Sequence, residues 1–101
     1  MTTNKLRAIH AGEILREEFL APLGITPHAL AMSLRVPAPR INDVVREKRA
    51  VTVDTAMRLA RYFDTTAQFW MNLQSTYDLK IAESTLSQKN DLEVQQLQKA
   101  A

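Results

Sequence analysis

Apolar residues return every three or four positions along this 101-residue chain, and short polar, glycine or proline breaks divide the pattern into segments. Spacing of that kind predicts amphipathic helices. The first fits residues 11 to 21, with Ile14, Leu15 and Phe19 on one face and Glu13, Glu17 and Glu18 outside it. It is expected to stop near Ala21-Pro22, because proline lacks the helical N–H donor and restricts the residue before it. Thr26-Pro27 opens a second helix, threonine capping a free amide and proline filling the first position, where its missing donor costs nothing. That helix runs to about Leu34 with Leu30, Ala31 and Leu34 facing in, and Arg35-Val36-Pro37 breaks it. A third helix, from Ala38 to about Arg46, has Ile41, Val44 and Val45 as its apolar face, and residues 47 to 50 follow as a basic loop. Thr52 caps a fourth helix to about Phe63, with Asp54 at the positive end of its dipole and Ala56, Leu59, Ala60 and Phe63 inward. Thr66 caps a fifth, to about Tyr77. From Asp78 the pattern weakens: Leu79, Ala82 and Leu86 support a sixth helix, and residues 87 to 101 read as a frayed helix or one that orders on a partner. β-branched residues nowhere alternate with polar ones. The expectation is an all-α fold of five or six helices, with a domain over residues 1–79 and a helical extension over 80–101.

Composition removes several kinds of chemistry. With no cysteine there are no disulfides, no thiolate metal site and no cysteine nucleophile. Hydrophobic residues at 46% and charged residues at 24% are ordinary for a globular chain that needs no metal to fold. No apolar run approaches the roughly 18 residues that span a bilayer, and the first twenty residues have no apolar stretch of the leader type. A cytoplasmic protein is expected. His10 and His28 stand apart from any carboxylate or cysteine arrangement, so no metal or other cofactor is expected. Glu13, Glu17 and Glu18 read as a solvated helix face, and there is no Ser/His/Asp set and no phosphate-cradling glycine loop, so an enzyme is not expected.

Charge changes the picture where it is concentrated. The net charge is +2, but the segment from Arg35 to Arg61 carries seven basic residues against Asp43, Glu47 and Asp54, a local +4. A basic patch on a nearly neutral chain suits a phosphate-binding face. It coincides with the second and third helices, two short helices joined by a turn of three or four residues. In a helix-turn-helix the second of such a pair enters the major groove of DNA while the first braces it. Small Ala31 permits a steep crossing. Ala38, Pro39, Arg40, Asn42 and Asp43 lie away from the third helix's apolar face. Arg40 suits a guanine edge or a phosphate, and Asn42 an adenine or a phosphate. Asp43 either accepts from a cytosine amine or orients Arg40 or Arg46. Ala38 and Pro39 are placed to touch a thymine methyl. Thr26 and His28 at the start of the second helix, with Arg46, Lys48 and Arg49 at the exit of the third, are candidates for phosphate contact.

The runs from 9 to 26 and from 30 to 79 resemble the HigA/VapI family of antitoxins, within the larger Xre/Cro-like (lambda-repressor-like) helix-turn-helix class. The resemblance is carried by Gly12-Glu13-Ile14-Leu15, Arg40-Ile41-Asn42-Asp43, Thr55-Ala56-Met57-Arg58-Leu59-Ala60 and Phe69-Trp70-Met71-Asn72-Leu73-Gln74. It implies a type II toxin–antitoxin system: a chain that neutralises a HigB-like, mRNA-cleaving toxin and represses its own operon by binding operator DNA, usually as a dimer. The alternatives are a stand-alone transcriptional regulator with no toxin and a protein-binding module that has lost DNA binding. The chain departs from the family pattern where glycine usually stands at Arg35 and serine at Pro37, and where polar residues usually occupy 38 and 39. Base readout would then rest chiefly on Arg40, Asn42 and Asp43.

Two further surfaces are expected. Phe69, Trp70, Met71, Leu73 and Tyr77 are more apolar residues than one helix face buries internally, which predicts a two-fold homodimer interface rather than a base-stacking platform. Glu13, Glu17 and Glu18, within a segment from Asn4 to Phe19, offer negative charge to a basic toxin. The weakly patterned tail from Leu79 to Ala101 is the alternative element.

Overall fold

A computed structural model describes residues 7–98, and those residues form helices and connecting turns without a strand. The first helix, α1, covers residues 11–23: an α turn at Ala11–Ile14, a wider π segment at Leu15–Leu20 and a last α turn at Ala21–Leu23. The expected stop at Ala21-Pro22 is therefore corrected. In the π segment the Ala21 N–H already reaches back five residues to Arg16 O. Pro22 then sits in the first turn of the next α segment, where a missing donor is tolerated. α2 (Pro27–Leu34), α3 (Ala38–Val45) and α4 (Val53–Phe63) follow at the expected places. Thr26, Thr52 and Thr66 each accept a backbone N–H through the side-chain oxygen, as capping requires.

The fifth and sixth helices are one. α5 runs unbroken from Ala67 to Glu93, and Val94–Gln98 is not helical. Nothing between Tyr77 and Leu86 is proline or glycine, so the weakened apolar pattern marks loss of burial rather than a helix end. Residues 99–101 of the expected tail, and residues 1–6 with the start of the Asn4 segment, lie outside the described residues.

Each of the first four helices ends on a left-handed residue: Gly24 (φ 67°), Arg35 (φ 62°), Glu47 (φ 64°) and Asp64 (φ 56°). After the first three, paired backbone bonds close the last turn, as in Val36 N–H to Ala31 O at 3.1 Å and Arg35 N–H to Met32 O at 3.2 Å. This Schellman geometry prefers glycine, and three of the four positions have a side chain instead, at a cost of about 1 kcal/mol each.

The core gathers Leu15 and Leu20 of α1, Leu30, Ala31 and Leu34 of α2, Ile41, Val44 and Val45 of α3, Ala56 and Leu59 of α4 and Trp70 of α5. Phe19 stacks against Phe63 at 4.9 Å and Trp70 at 5.0 Å between ring centroids, closing it. Gly12 is where α1 meets α3: a Cβ there would lie 1.8 Å from Val44 O. The radius of gyration is 17.2 Å and the longest extent 58 Å, against about 13 Å for a compact chain of this length. The excess is the far half of α5, which projects from the bundle: Leu79, Ile81, Leu86 and Leu92 are all exposed.

Candidate nucleic-acid interface

α2 and α3 pack through Leu30, Ala31, Leu34, Ile41 and Val44, all buried, so the opposite side of α3 faces solvent. Three contacts hold α3 in place. Gly12 lets α1 approach its backbone. Arg16 of α1 donates through Nη1 to Val45 O at its C-terminus and through Nη2 to Glu47 at 3.3 Å. A guanidinium there answers both the unpaired carbonyl and the negative helix end. At the loop's far side, the buried Val51 N–H donates to Gln74 Oε1 of α5 at 2.9 Å, and Gln74 Nε2 donates to Asp78 at 3.0 Å. The basic loop is thus fixed at both ends.

The expected base-reading residues are distributed unevenly. Pro39 is exposed, and Asn42 and Asp43 are half-buried on the solvent side of α3. Ala38 packs partly against the core, so less of its methyl is offered to a base than expected. Arg40 does not pair with Asp43. Its Nη1 donates to Asp54 Oδ2 of α4 at 2.6 Å, and Asp43 instead faces Arg49 at 3.4 Å. Asp54 Oδ2 also accepts from Arg58 Nε at 3.0 Å, while Arg58 Nη1 donates to Leu34 O, at the end of α2, at 2.9 Å. The hydrogen bond from Arg40, then that from Arg58, hold the Asp54 carboxyl below its usual range.

Among the described residues, Arg46 and Lys48 form no ion pair and are exposed beside Arg49. Thr26 and His28 are exposed at the N-terminus of α2, where the Thr26 hydroxyl oxygen accepts from Ala29 N–H at 3.1 Å. α3 itself opens on Pro37 with no side-chain cap, as the sequence indicates.

Trp70 requires a correction. It is fully buried within the single chain and its Nε1 donates to Thr65 Oγ1 at 2.8 Å, so it is core and offers nothing to a second subunit. Met71 and Leu73 pack partly against the same core, Tyr77 sets an edge against His10 at 4.8 Å, and Phe69 is 37% exposed. Phe69, Leu73 and Tyr77 do line one groove of about 380 Å³ together with Ile9 and Ile14. The glutamates of α1 are less available than their count suggests. Glu13 takes both guanidinium nitrogens of Arg7, at 2.6 and 2.5 Å, and Glu17 pairs with Arg16 at 3.0 Å, leaving Glu18 exposed and without an ion pair among the described residues.

His10, weighed from sequence only as a metal ligand, is a buried helix cap: its Nδ1 accepts the Gly12 N–H at 2.8 Å. Burial lowers its pKa. Among the described residues no group of three His, Cys, Asp or Glu side chains is placed to hold a metal ion, and no helix is long and apolar enough to cross a membrane.

With this geometry the chain matches the helix-turn-helix family HTH_3 over residues 15–70. It is 59% identical over 80 residues to virulence-associated protein I of Dichelobacter nodosus, covering 79% of this chain and 74% of that one. It is 35% identical over 79 residues to antitoxin HigA-1 of Vibrio cholerae, covering 78% and 74%. The chain belongs to the HigA/VapI family. Among solved structures, the Pseudomonas aeruginosa antitoxin HigA with the higBA promoter superposes with a TM-score of 0.87 at 53% identity, covering 91% of this chain and all of that one. The antitoxin GraA in complex with its operator gives 0.87 at 44% identity, with 93% and 95% covered.

Proposed function

We propose that this chain is an antitoxin that binds operator DNA through α3 and restrains a HigB-like, mRNA-cleaving toxin. The observation that carries the DNA reading is the solvent face of α3: Arg40 and Asn42 beside the cations Arg46, Lys48 and Arg49, in a chain 53% identical to a HigA solved with its promoter. In this reading Arg40 and Asn42 read base edges, with Pro39 and Asp43 shaping the same surface and Ala38 contributing an edge of its methyl. Thr26, His28, Arg46, Lys48 and Arg49 hold phosphates, which supply affinity and register without sequence information. A palindromic site needs two recognition helices about 34 Å apart. The Phe69–Leu73–Tyr77 groove is the face we assign to a second copy, with Met71, which packs partly against the core, outside its lining. Glu13, Glu17 and Glu18 are the surface we assign to the toxin, with Glu18 the residue whose charge is not already answered.

The test has two arms. Gel shifts with the chain's own upstream DNA, in competition with random duplex, should show a salt-dependent preference that Arg40→Ala removes. If a gene for a small basic protein adjoins this one, co-expression should rescue cells that make that protein, and reversing Glu13, Glu17 and Glu18 to lysine should slow its capture. DNA binding without any toxin neighbour would favour the stand-alone regulator. That reading has its own support in a relative of Haemophilus influenzae, an uncharacterized HTH-type transcriptional regulator 42% identical over 79 residues.

A further inference from the structure

Arg40 stands on the solvent face of α3, yet it is not free to sweep that face. Its Nη1 is bound at 2.6 Å to Asp54, 14 residues on in the first turn of the next helix. Asp54 does not serve Arg40 alone. The same oxygen takes Arg58 Nε, and Arg58 is itself fixed by Leu34 O, so the carboxylate is anchored to the end of α2 as well as to the first turn of α4. The Arg40 side chain remains 31% exposed, and no second protein acceptor lies within hydrogen-bond distance of it among the described residues. A guanidinium has five N–H donors in a planar fork. Anchoring one nitrogen restricts where the fork can turn and leaves its other donors uncommitted.

We infer that Asp54 is a positioning residue for base readout: it holds Arg40 so that the unbound edge of its guanidinium meets a guanine O6 and N7 in a fixed orientation. The inference rests on the DNA-binding reading above and deepens it, since Asp54 touches no DNA itself. Two physical consequences follow. An arginine held in place loses less side-chain entropy when it forms a bidentate bond, so the guanine contact gains over contacts to other bases. One carboxylate among Arg40 and Arg58 also trims the local positive charge, which lowers the attraction to any phosphate backbone alike. The charge effect falls on operator and random DNA alike and cancels in their ratio, so Asp54 raises the ratio through the orientation of Arg40 and lowers random binding through its charge.

The experiment uses the full chain, a duplex from its own upstream region that it protects in footprinting, and a scrambled duplex of equal length. Binding is measured across a range of salt for wild type, D54N, D54E, R40A and R40A/D54N, after circular dichroism establishes that each folds. D54S replaces D54N should the latter misfold. D54N is expected to lower the operator-to-scrambled ratio roughly tenfold, within the range one bidentate base contact supplies, while binding scrambled DNA more tightly than wild type does. D54E should recover part of the ratio. In the R40A background D54N should change the ratio no further. The inference is overturned if D54N leaves the ratio intact while R40A lowers it, if D54E recovers no more than D54N, or if D54N raises the ratio, which would make Asp54 a competitor for Arg40. A separate readout needs no DNA. In wild type the resonances of the Arg40 Nη1 protons, bonded to Asp54, should be resolved and slow to exchange, and in D54N they should merge toward those of a free arginine. Loss of operator preference by wild type itself would defeat the DNA reading, and the resonances would still judge whether Asp54 orders Arg40.

Discussion

Helices α2, α3 and α4 are 8, 8 and 11 residues long and α5 is 27. The short ones, and α1 before them, each end on a left-handed residue that turns the chain back across the same core. α5 has no such stop; it buries Trp70 and Gln74 near its start and then continues with Leu79, Ile81 and Leu86 exposed. The contrast separates two uses of one apolar spacing. Where a cap forces the return, the apolar face finds a partner within the chain. Where nothing forces it, the same spacing runs on past the end of the core.

The largest effect is expected where the capped half is tightest. Gly12→Ala would place a methyl carbon 1.8 Å from Val44 O, a backbone atom that cannot move without shifting α3. The expected loss is about 3 kcal/mol or more, at the upper end of overpacking penalties, and it should appear in urea unfolding together with loss of DNA binding. A Gly12→Ala protein with unchanged midpoint would mean that α1 and α3 are not packed as tightly as described.

Gln74 is the one polar side chain that α5 buries in the capped half. Gln74→Leu fills similar space but leaves the Val51 N–H without an acceptor, which costs about 1–3 kcal/mol. Because Val51 ends the basic loop, the amide of Lys48 or Arg49 should exchange faster with solvent in the variant. Unchanged stability and exchange would place the support of that loop elsewhere.

The difference between the two halves also bears on what was legible in advance. The caps at Thr26, Thr52 and Thr66 and the buried residues of α2, α3 and α4 follow from local spacing, because a short helix with one buried face leaves a strong period. The length of α5 was not legible: a helix that leaves the core loses its apolar signal without losing its hydrogen bonds, so Asp78 looked like an end. Pro22 misled for the opposite reason, since its usual veto was lifted by the π turns before it. At the interface, the exposed face of α3 was legible, but the partners of Arg40 and Asp43 were not. Asp54 lies 14 residues beyond Arg40 and meets it only through the placement of α4, where Arg58 shares the same carboxylate oxygen. Trp70 was misassigned to a subunit interface because helical spacing alone cannot say which of several apolar neighbours points inward.

His10 offers a pH test confined to the capped half. Its Nδ1 can accept the Gly12 N–H only while that nitrogen carries no proton. Burial lowers the folded-state pKa below the ordinary value of 6.5, against the weaker opposing pull of Glu47 and Asp78. The folded state therefore binds fewer protons than the unfolded chain. The cap's contribution is whole above about pH 6.5 and declines as pH falls through the lowered folded value. The melting temperature of wild type relative to His10→Asn, which retains a capping oxygen, should fall between pH 7.5 and pH 5. A flat difference would show that His10 protonates without disturbing the start of α1.

Arg35→Gly should act in the other direction. Arg35 holds φ 62° with its N–H bonded to Met32 O, so glycine relieves left-handed strain without removing the bond. The expected gain is about 0.5–1 kcal/mol, or a rise of roughly 4 °C in Tm for a chain of this size. A loss of stability would mean that the Arg35 side chain contributes more than its backbone strain costs.

The smallest effect should come from the projecting half. A chain ending after Thr85 loses the exposed Leu86, Leu92, Val94 and Leu97, and none of the described residues lost with them, 86–98, is buried. Helical hydrogen bonds are lost with them, but a helix segment with no packed face adds little to global stability. The urea midpoint should move by less than about 0.5 kcal/mol equivalent, and the m-value should hold, because m follows the area exposed on unfolding and this segment is exposed already. A second copy covering that stripe would change the result in a recognisable way. The midpoint of the full chain would then rise with protein concentration, and that of the shortened chain would not. Concentration dependence shared by both would place the interface nearer the Phe69–Leu73–Tyr77 groove, which the truncation leaves intact.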